Sequence, residues 1–187
     1  MRVVGGKFRG RALAPPSSET TRPTSDRVRE AMFNILAHGV EDFTIEGARV
    51  LDLFAGTGAL GIEALSRGAA FCMFVDDDAD ARGAIRTNVD NFGLTGVTKI
   101  FRRDATGLGD AGKYGGFDLL FADPPYDKGL ADCALASAAA GGWLSPGAIV
   151  VVEERLGVPL DLPSGFTMID RRSWGDTQAI FGRWTSI

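Results

Sequence analysis

From residue 49 onward, apolar residues gather in short runs separated by segments of helical spacing. Val50-Leu51-Asp52-Leu53-Phe54 predicts a buried strand that runs into Gly56-Thr57-Gly58 and a helix from Ala59 to Ser66. Phe71 to Val75, Val97 to Phe101, Phe117 to Ala122 and Ala148 to Val152 predict four more strands, and a helix from Asp78 to Asn91 follows the second. Apolar runs this continuous, with helices between them, belong to a parallel sheet covered on both faces, since a half-exposed strand would alternate. The end of the chain reads differently. Phe166–Trp174 and Gln178–Trp184 flank Gly175-Asp176-Thr177, the pattern of a terminal antiparallel hairpin. The expected fold class is α/β: a doubly wound, Rossmann-like sheet of parallel strands that ends in an antiparallel C-terminal hairpin.

Ahead of residue 49 the pattern is looser. Val3-Val4-Gly5-Gly6-Lys7-Phe8 predicts a short strand, a glycine turn and a return strand, and Pro15-Pro16-Ser17-Ser18 predicts a linker. Thr24 or Ser25 caps a helix whose apolar positions Val28, Ala31, Met32, Ile35 and Leu36 lie on one face, and Gly39 ends it. Two regions follow: residues 1–21 as a basic hairpin arm with its linker, and 22–187 as one α/β domain.

Charge sharpens that division. The whole chain carries −4. Arg2, Lys7, Arg9, Arg11, Arg22, Arg27 and Arg29 against Glu19 and Asp26 leave residues 1–29 at +5, and the remainder at −9. A basic arm on an acidic body can grip a phosphate backbone locally. No apolar run reaches the ~20 residues of a membrane span, and none follows the opening MRVVGGKFRGR as a secretion signal would require. Cys72 and Cys133 are too few and too far apart for a disulfide framework or a zinc site. The expectation is a reduced, cytoplasmic, monomeric protein without a metal.

The glycine-rich turn after the first strand invites a ligand. Phe54, Gly56, Thr57 and Gly58 would form its wall, with free N–H groups at the following helix start. Gly56-x-Gly58-x-x-Gly61 also fits a dinucleotide site, and Asp76 at the end of the second strand could hold ribose hydroxyls in either case. Asp52 tilts the choice. A carboxylate there would face a pyrophosphate in a dehydrogenase, but it suits the ammonium and sulfonium of S-adenosylmethionine. Asp104 and Ala105, closing the third strand, can serve an adenine amino group and ring nitrogen.

Asp123-Pro124-Pro125-Tyr126 follows the fourth strand. The prolines stiffen the backbone. An exocyclic amino group on a base is a poor nucleophile because its lone pair is delocalised into the ring. The Asp123 carboxylate and a carbonyl presented by Pro124 can accept its two N–H bonds and aim that lone pair, while Tyr126 offers an aromatic face to an unstacked base. The cysteines lack a neighbouring base, and His38 lies near a helix end, where it caps or packs.

These elements resemble the RsmD-type 16S rRNA guanine-N2-methyltransferases. The resemblance rests on Arg2-Val3-Val4-Gly5-Gly6-Lys7-Phe8-Arg9-Gly10-Arg11, on Arg22-Pro23-Thr24-Ser25-Asp26-Arg27-Val28-Arg29-Glu30 and on Asp52-Leu53-Phe54-Ala55-Gly56-Thr57-Gly58. Asp123-Pro124-Pro125-Tyr126 and Trp174-Gly175-Asp176-Thr177 complete it. It implies a class I methyltransferase that uses S-adenosylmethionine on a guanine N2 of 16S rRNA, in the small ribosomal subunit or an assembly intermediate. It also implies Asp123, Pro124 and Tyr126 as the base site, and Asp52, Gly56, Gly58, Asp76, Asp104 and Ala105 at the cofactor. Arg2, Lys7, Arg9, Arg11, Arg22 and Thr24 are the expected RNA contacts, with a cofactor role for Arg22 and Thr24 left open. The chain departs from the family in having Asp76-Asp77-Asp78 where a Glu is usual, and in its acidic body. Competing readings are an adenine-N6 methyltransferase, a non-catalytic ribosome assembly factor and a nicotinamide-dependent oxidoreductase.

Overall fold

Seven strands make one mixed sheet in the computed structural model, which describes residues 1–15 and 24–185. They are β1 (Arg49–Leu53), β2 (Phe71–Val75), β3 (Thr98–Phe101), β4 (Phe117–Ala122), β5 (Leu144–Arg155), β6 (Phe166–Trp174) and β7 (Thr177–Trp184). Their spatial order is β3-β2-β1-β4-β5-β7-β6. The first five are parallel, and β7 runs antiparallel to both β5 and β6. Strand order reverses between β1 and β4, which opens a crevice at the carboxyl edge of the sheet, where such folds bind ligands.

Four helices cover the sheet: α1 (Asp26–His38), α2 (Ala59–Ser66), α3 (Ala79–Asn91) and α4 (Leu130–Ala140). The strands send alternate side chains to two cores. Val50, Leu119, Phe121, Ile149 and Val151 join Phe33 and Leu36 of α1 and Ile62 of α2. Leu51, Leu120, Val150 and Val152 join Ala134 and Leu135 of α4. Trp143 closes that second core, buried and stacked on Phe117 with ring centroids 6.2 Å apart.

Apart from α4, which the apolar pattern did not single out, the elements fall where it put them, with three differences that have physical causes. First, β5 spans Leu144–Arg155 rather than 148–152, because Leu144 already pairs Phe117 of β4 and because Glu153 and Glu154 continue the ladder against Ala179 and Gln178 of β7 despite their charge. Second, the face of α1 is turned by one residue. Ser25 caps the helix by accepting Val28 N–H, and the buried positions are Arg29, Met32, Phe33 and Leu36, with Val28, Ala31 and Ile35 on the flanks. Arg29, a residue normally left in water, is fully buried because its guanidinium reaches Glu63 at 3.3 Å, Asp26 at 2.9 Å and the Arg2 carbonyl.

Third, the N-terminal arm is not a tight hairpin at Val3–Phe8. Arg2 bridges Ala12, Val3 donates to the Arg11 carbonyl at 3.0 Å, and a 3-10 turn over Gly6–Phe8 forms the tip. Glycine is needed there for approach as much as for turning: at Gly6, φ is +74° and a Cβ would lie 1.9 Å from the Ser66 carbonyl oxygen. The arm is docked, not free. Val3 and Leu13 belong to the first core, and the fully buried Glu63 of α2 accepts the Val4 and Gly5 N–H groups at 2.9 and 3.0 Å. Part of the expected linker (Pro16, Ser17, Ser18) and Arg22 lie outside the described residues. No helix among those described is long and apolar enough to cross a membrane.

Candidate active site at the carboxyl edge of the sheet

The first half of the site grows from the ends of β1, β2 and β3. As β1 finishes, Phe54 takes φ 55°, a left-handed conformation that a bulky residue adopts only when its surroundings enforce it. Gly58 then caps α2 at φ 80°. Gly61 lies so close to β2 that a Cβ would stand 2.5 Å from both the Cys72 sulfur and the Phe74 ring, so no other residue lets α2 seat at this depth. Asp52, buried on β1, accepts the Gly61 N–H at 3.0 Å. Burial pushes its carboxyl well above the usual carboxylate range, and Asp76 adds to the rise.

Asp76 ties the loop to the end of β2. One carboxyl oxygen accepts Gly56 N–H at 2.9 Å and the other accepts Asp78 N–H at 3.0 Å. Burial raises its pKa against those two hydrogen bonds. Asp77 is exposed, which settles which of the three neighbouring carboxylates faces the loop. Asp104 is exposed and accepts the Thr106 N–H and hydroxyl through a single oxygen, at 2.8 and 2.7 Å, which holds it below the usual range. It thereby caps the short 3-10 turn that begins at the buried Ala105. Behind the loop, Asn88 of α3 donates to the Thr57 carbonyl at 2.9 Å and accepts Ala14 N–H at 2.7 Å. The arm therefore braces the glycine loop from outside.

The second half sits across the switch point. Ala122 of β4 is the register partner of Val152 of β5, so the next residues, Asp123 just past β4 and Glu153 within β5, stand side by side. Thr24, just ahead of α1, donates its hydroxyl to Glu153 at 2.7 Å and lies 3.3 Å from Asp123. The Tyr126 hydroxyl also hydrogen-bonds Glu153. Burial pushes both carboxyls up; Glu153, Asp52 and Glu154 raise Asp123 further, and Glu154 raises Glu153 against the hydrogen bonds from Thr24 and Tyr126. After the two prolines Asp127 turns back at φ 65°, and its carboxylate meets Arg155 at 3.0 Å on the exposed rim. Arg155 also lies over the Tyr126 ring, 5.5 Å from its centroid. Beside this pair opens a cavity of about 400 Å³, walled by Thr24, Arg27, Tyr126, Glu153, Trp174 and Asp176.

The structure therefore gathers Asp52, Phe54, Gly56, Thr57, Gly58, Asp76, Asp104 and Ala105 at one end of the crevice, and Asp123, Pro124 and Tyr126 at the other. Thr24, expected on RNA, is found between the two carboxyls of the second half. Sequence reasoning did not reach Glu153, although a charged pair closing an apolar strand was the available signal. Of the arm's cations, Arg2, Lys7, Arg9 and Arg11 are all exposed. Two of them also shape the arm: Arg2 donates to the Gly10 carbonyl at 2.6 Å, and Arg11 bonds the Asn91 carbonyl while lying 4.3 Å from the Phe92 ring centroid. Both cysteines are unpaired, and no metal-binding cluster occurs among the described residues.

Against known proteins, the chain matches the family described as conserved hypothetical protein 95 over residues 1–183. The ribosomal RNA small subunit methyltransferase D of Escherichia coli K12 is 37% identical over 156 residues, 83% of this chain and 75% of the relative. Its Haemophilus influenzae counterpart is 32% identical over 177 residues, 94% of this chain and 89% of the relative. A solved Escherichia coli structure described as the putative methyltransferase yhhF aligns with a TM-score of 0.84 at 30% identity, covering 100% of this chain and 99% of that one. Matched along nearly its whole length in both sequence and fold, the chain belongs to the conserved hypothetical protein 95 family, the RsmD family.

Proposed function

We propose that this chain methylates the exocyclic N2 amino group of a guanine in small-subunit (16S) ribosomal RNA, with S-adenosylmethionine as the donor. The observation that carries the reading is the placement of Asp123, on a proline-stiffened exit from β4, across the switch point from the glycine loop and beside a cavity with aromatic walls. The relatives named above supply the substrate class, as ribosomal RNA small subunit methyltransferases.

The donor end fits S-adenosylmethionine on the chemistry of its residues. Asp52 is a buried carboxylate whose ionised form burial disfavours, and a bound cation would restore it. Both oxygens of Asp76 are oriented by backbone N–H groups and keep lone pairs for ribose hydroxyls. Asp104 holds Thr106 through one oxygen, which leaves the other for an adenine amino group. When bound, S-adenosylmethionine supplies a methyl group already activated by a positive sulfur.

The protein's task is then positioning and proton handling. Asp123 and the Pro124 carbonyl accept the two amino hydrogens and turn the nitrogen lone pair toward the donor. Attack of the nitrogen on the methyl carbon, with the S–C bond breaking and the sulfur leaving as a neutral thioether, makes the nitrogen cationic, and its surplus proton passes to an oxygen of Asp123. A carboxyl held above its ordinary pKa takes that proton more readily. Tyr126 and Trp174 present ring faces to a base drawn out of its stack, and the cations of the arm hold the phosphates around it.

The test is methyl transfer from labelled S-adenosylmethionine to unmodified small-subunit particles, followed by nucleoside analysis. N2-methylguanosine is expected. N6-methyladenosine, or labelling of duplex DNA in preference to the particles, overturns the acceptor assignment.

A further inference from the structure

Glu153 is absent from every motif in the sequence, yet it is 2% exposed and forms part of the cavity wall. Strand register sets it beside Asp123, and the single hydroxyl of Thr24 reaches both carboxyls, so both face one small space. Thr24 and Tyr126 turn neutral donors toward Glu153. The ion pairs formed by the described residues leave it out, although it is almost wholly withdrawn from water. A buried carboxyl in that position is an acceptor looking for N–H groups.

The nucleobases differ at that place. Adenine and cytosine carry, next to the exocyclic amino group, a ring nitrogen with a lone pair. Guanine carries N1–H. An amino group held by Asp123 therefore brings to the neighbouring carboxylate either a hydrogen-bond donor, when the base is guanine, or a repelling lone pair, when it is adenine or cytosine. We propose that Glu153 accepts the N1–H of the acceptor guanine and is the residue that selects guanine over the other amino-bearing bases. This rests on the guanine-N2 reading above. The contact also draws electron density onto the ring, which makes the adjacent N2 a better nucleophile. The role of Thr24 follows from the same geometry. Its hydroxyl is closer to Glu153 than to Asp123, so it fixes the rotamer of the reading carboxyl and leaves Asp123 to the amino group.

The experiment uses the full chain and small-subunit particles in which the acceptor guanine, located by mapping the transferred label to an RNA fragment, is replaced by 2-aminopurine. That base keeps the 2-amino group and lacks N1–H. The wild-type protein is expected to methylate the substituted particle at least about 100-fold less efficiently in kcat/KM, as sites built around a substrate N–H do with analogues lacking it. Glu153→Gln, whose amide can donate to the bare ring nitrogen, is expected to lose activity on guanine, gain on 2-aminopurine and keep its affinity for S-adenosylmethionine. Equal methylation of the two particles by the wild-type protein overturns the inference while leaving the N2 assignment intact. N6-methyladenosine from the unsubstituted particle overturns both. The wild-type comparison needs no variant, so a folding failure of Glu153→Gln does not decide the question.

Discussion

Deleting residues 1–11 discriminates between an RNA-gripping appendage and a structural part of the domain. As a sequence, the arm looks separable, and its loss would be expected to spare folding and cofactor affinity. The structure predicts otherwise. Removing Val3 gives up a buried side chain worth about 1.5–3 kcal/mol. The edge-on contact between Phe8 and Phe92, centroids 5.1 Å apart, contributes a further ~0.5–1.5 kcal/mol. Two backbone N–H bonds to the charged Glu63 disappear, and the buried Arg29 is deprived of the Arg2 carbonyl. Bonds to charged groups are worth about 1.5–3 kcal/mol each. Water entering the vacated groove returns part of that. A loss of about 4–7 kcal/mol is expected, against a typical total of 5–15. Urea denaturation of the full-length and truncated proteins reads it as a large drop in midpoint. S-adenosylmethionine affinity, followed by calorimetry, should fall too, because the Met1 sulfur that accepts the Thr57 hydroxyl at 3.9 Å is lost and Ala14, which holds Asn88 behind the glycine loop, loses the rest of the arm that seats it. The control is Lys7→Ala/Arg9→Ala, which leaves the docking interactions in place. It should keep the midpoint, weaken particle binding and flatten the salt dependence by about 0.7–0.9 for each phosphate no longer neutralised. An unchanged midpoint on truncation would refute the docking argument.

Three further outcomes are expected. Asp123→Ala should cut turnover by roughly 100–1000-fold, the usual loss for a transition-state hydrogen bond, with S-adenosylmethionine affinity within a few-fold by calorimetry; comparable turnover would remove Asp123 from the chemistry. Asp76→Ala should weaken S-adenosylmethionine by on the order of 10–100-fold and Asp77→Ala hardly at all, a reversed order moving the ribose ligand along the chain. Asp123, raised by burial and by Glu153, and Glu153, raised by burial and by Glu154, hold more protons folded than unfolded, so the stability they contribute falls as pH rises from the unfolded carboxylate range through their raised values. With Asp52, Glu154, Thr24 and Tyr126 unchanged around them, Asp123→Asn/Glu153→Gln should gain on the wild type in thermal midpoint between about pH 5 and 8, and parallel curves would sink the argument.

Legibility in the sequence followed the range of the interactions. The strands of the sheet and the glycine loop are written in contiguous residues, because burial on both faces leaves a continuous apolar run and a ligand-holding turn needs glycines at fixed offsets. Asp76 and Asp123 were legible for the same reason, each standing directly after a strand. Arg29 was not, since its burial depends on Glu63, 34 positions away. Nor was the arm's attachment, which combines backbone N–H groups that carry no residue signature with Val3 and Leu13, apolar residues that meet a core built elsewhere in the chain. Glu153 lies inside a strand whose charged end resembles solvent-facing chain, and only the β4–β5 register sets it beside Asp123. Thr24 and Ser25 read equally as the helix cap; Ser25 does the capping, which leaves Thr24 free to reach Glu153 and Asp123.

The two ends of the crevice also differ in how far apart along the chain their partners lie. Asp52 meets Gly61 across 9 residues and Asp76 meets Gly56 across 20, whereas Thr24 meets Glu153 across 129. Closing so long a loop costs chain entropy before the contact offers any return. The donor end is therefore assembled from early, short-range pieces, and the acceptor end waits for β5 to be laid beside β4 and for the segment ahead of α1 to return. In a growing polypeptide the glycine-loop end, down to Asp104 and Ala105, is synthesised about fifty residues before Glu153. On the function proposed above, partial unfolding would reach the base-selecting end first and the donor end later.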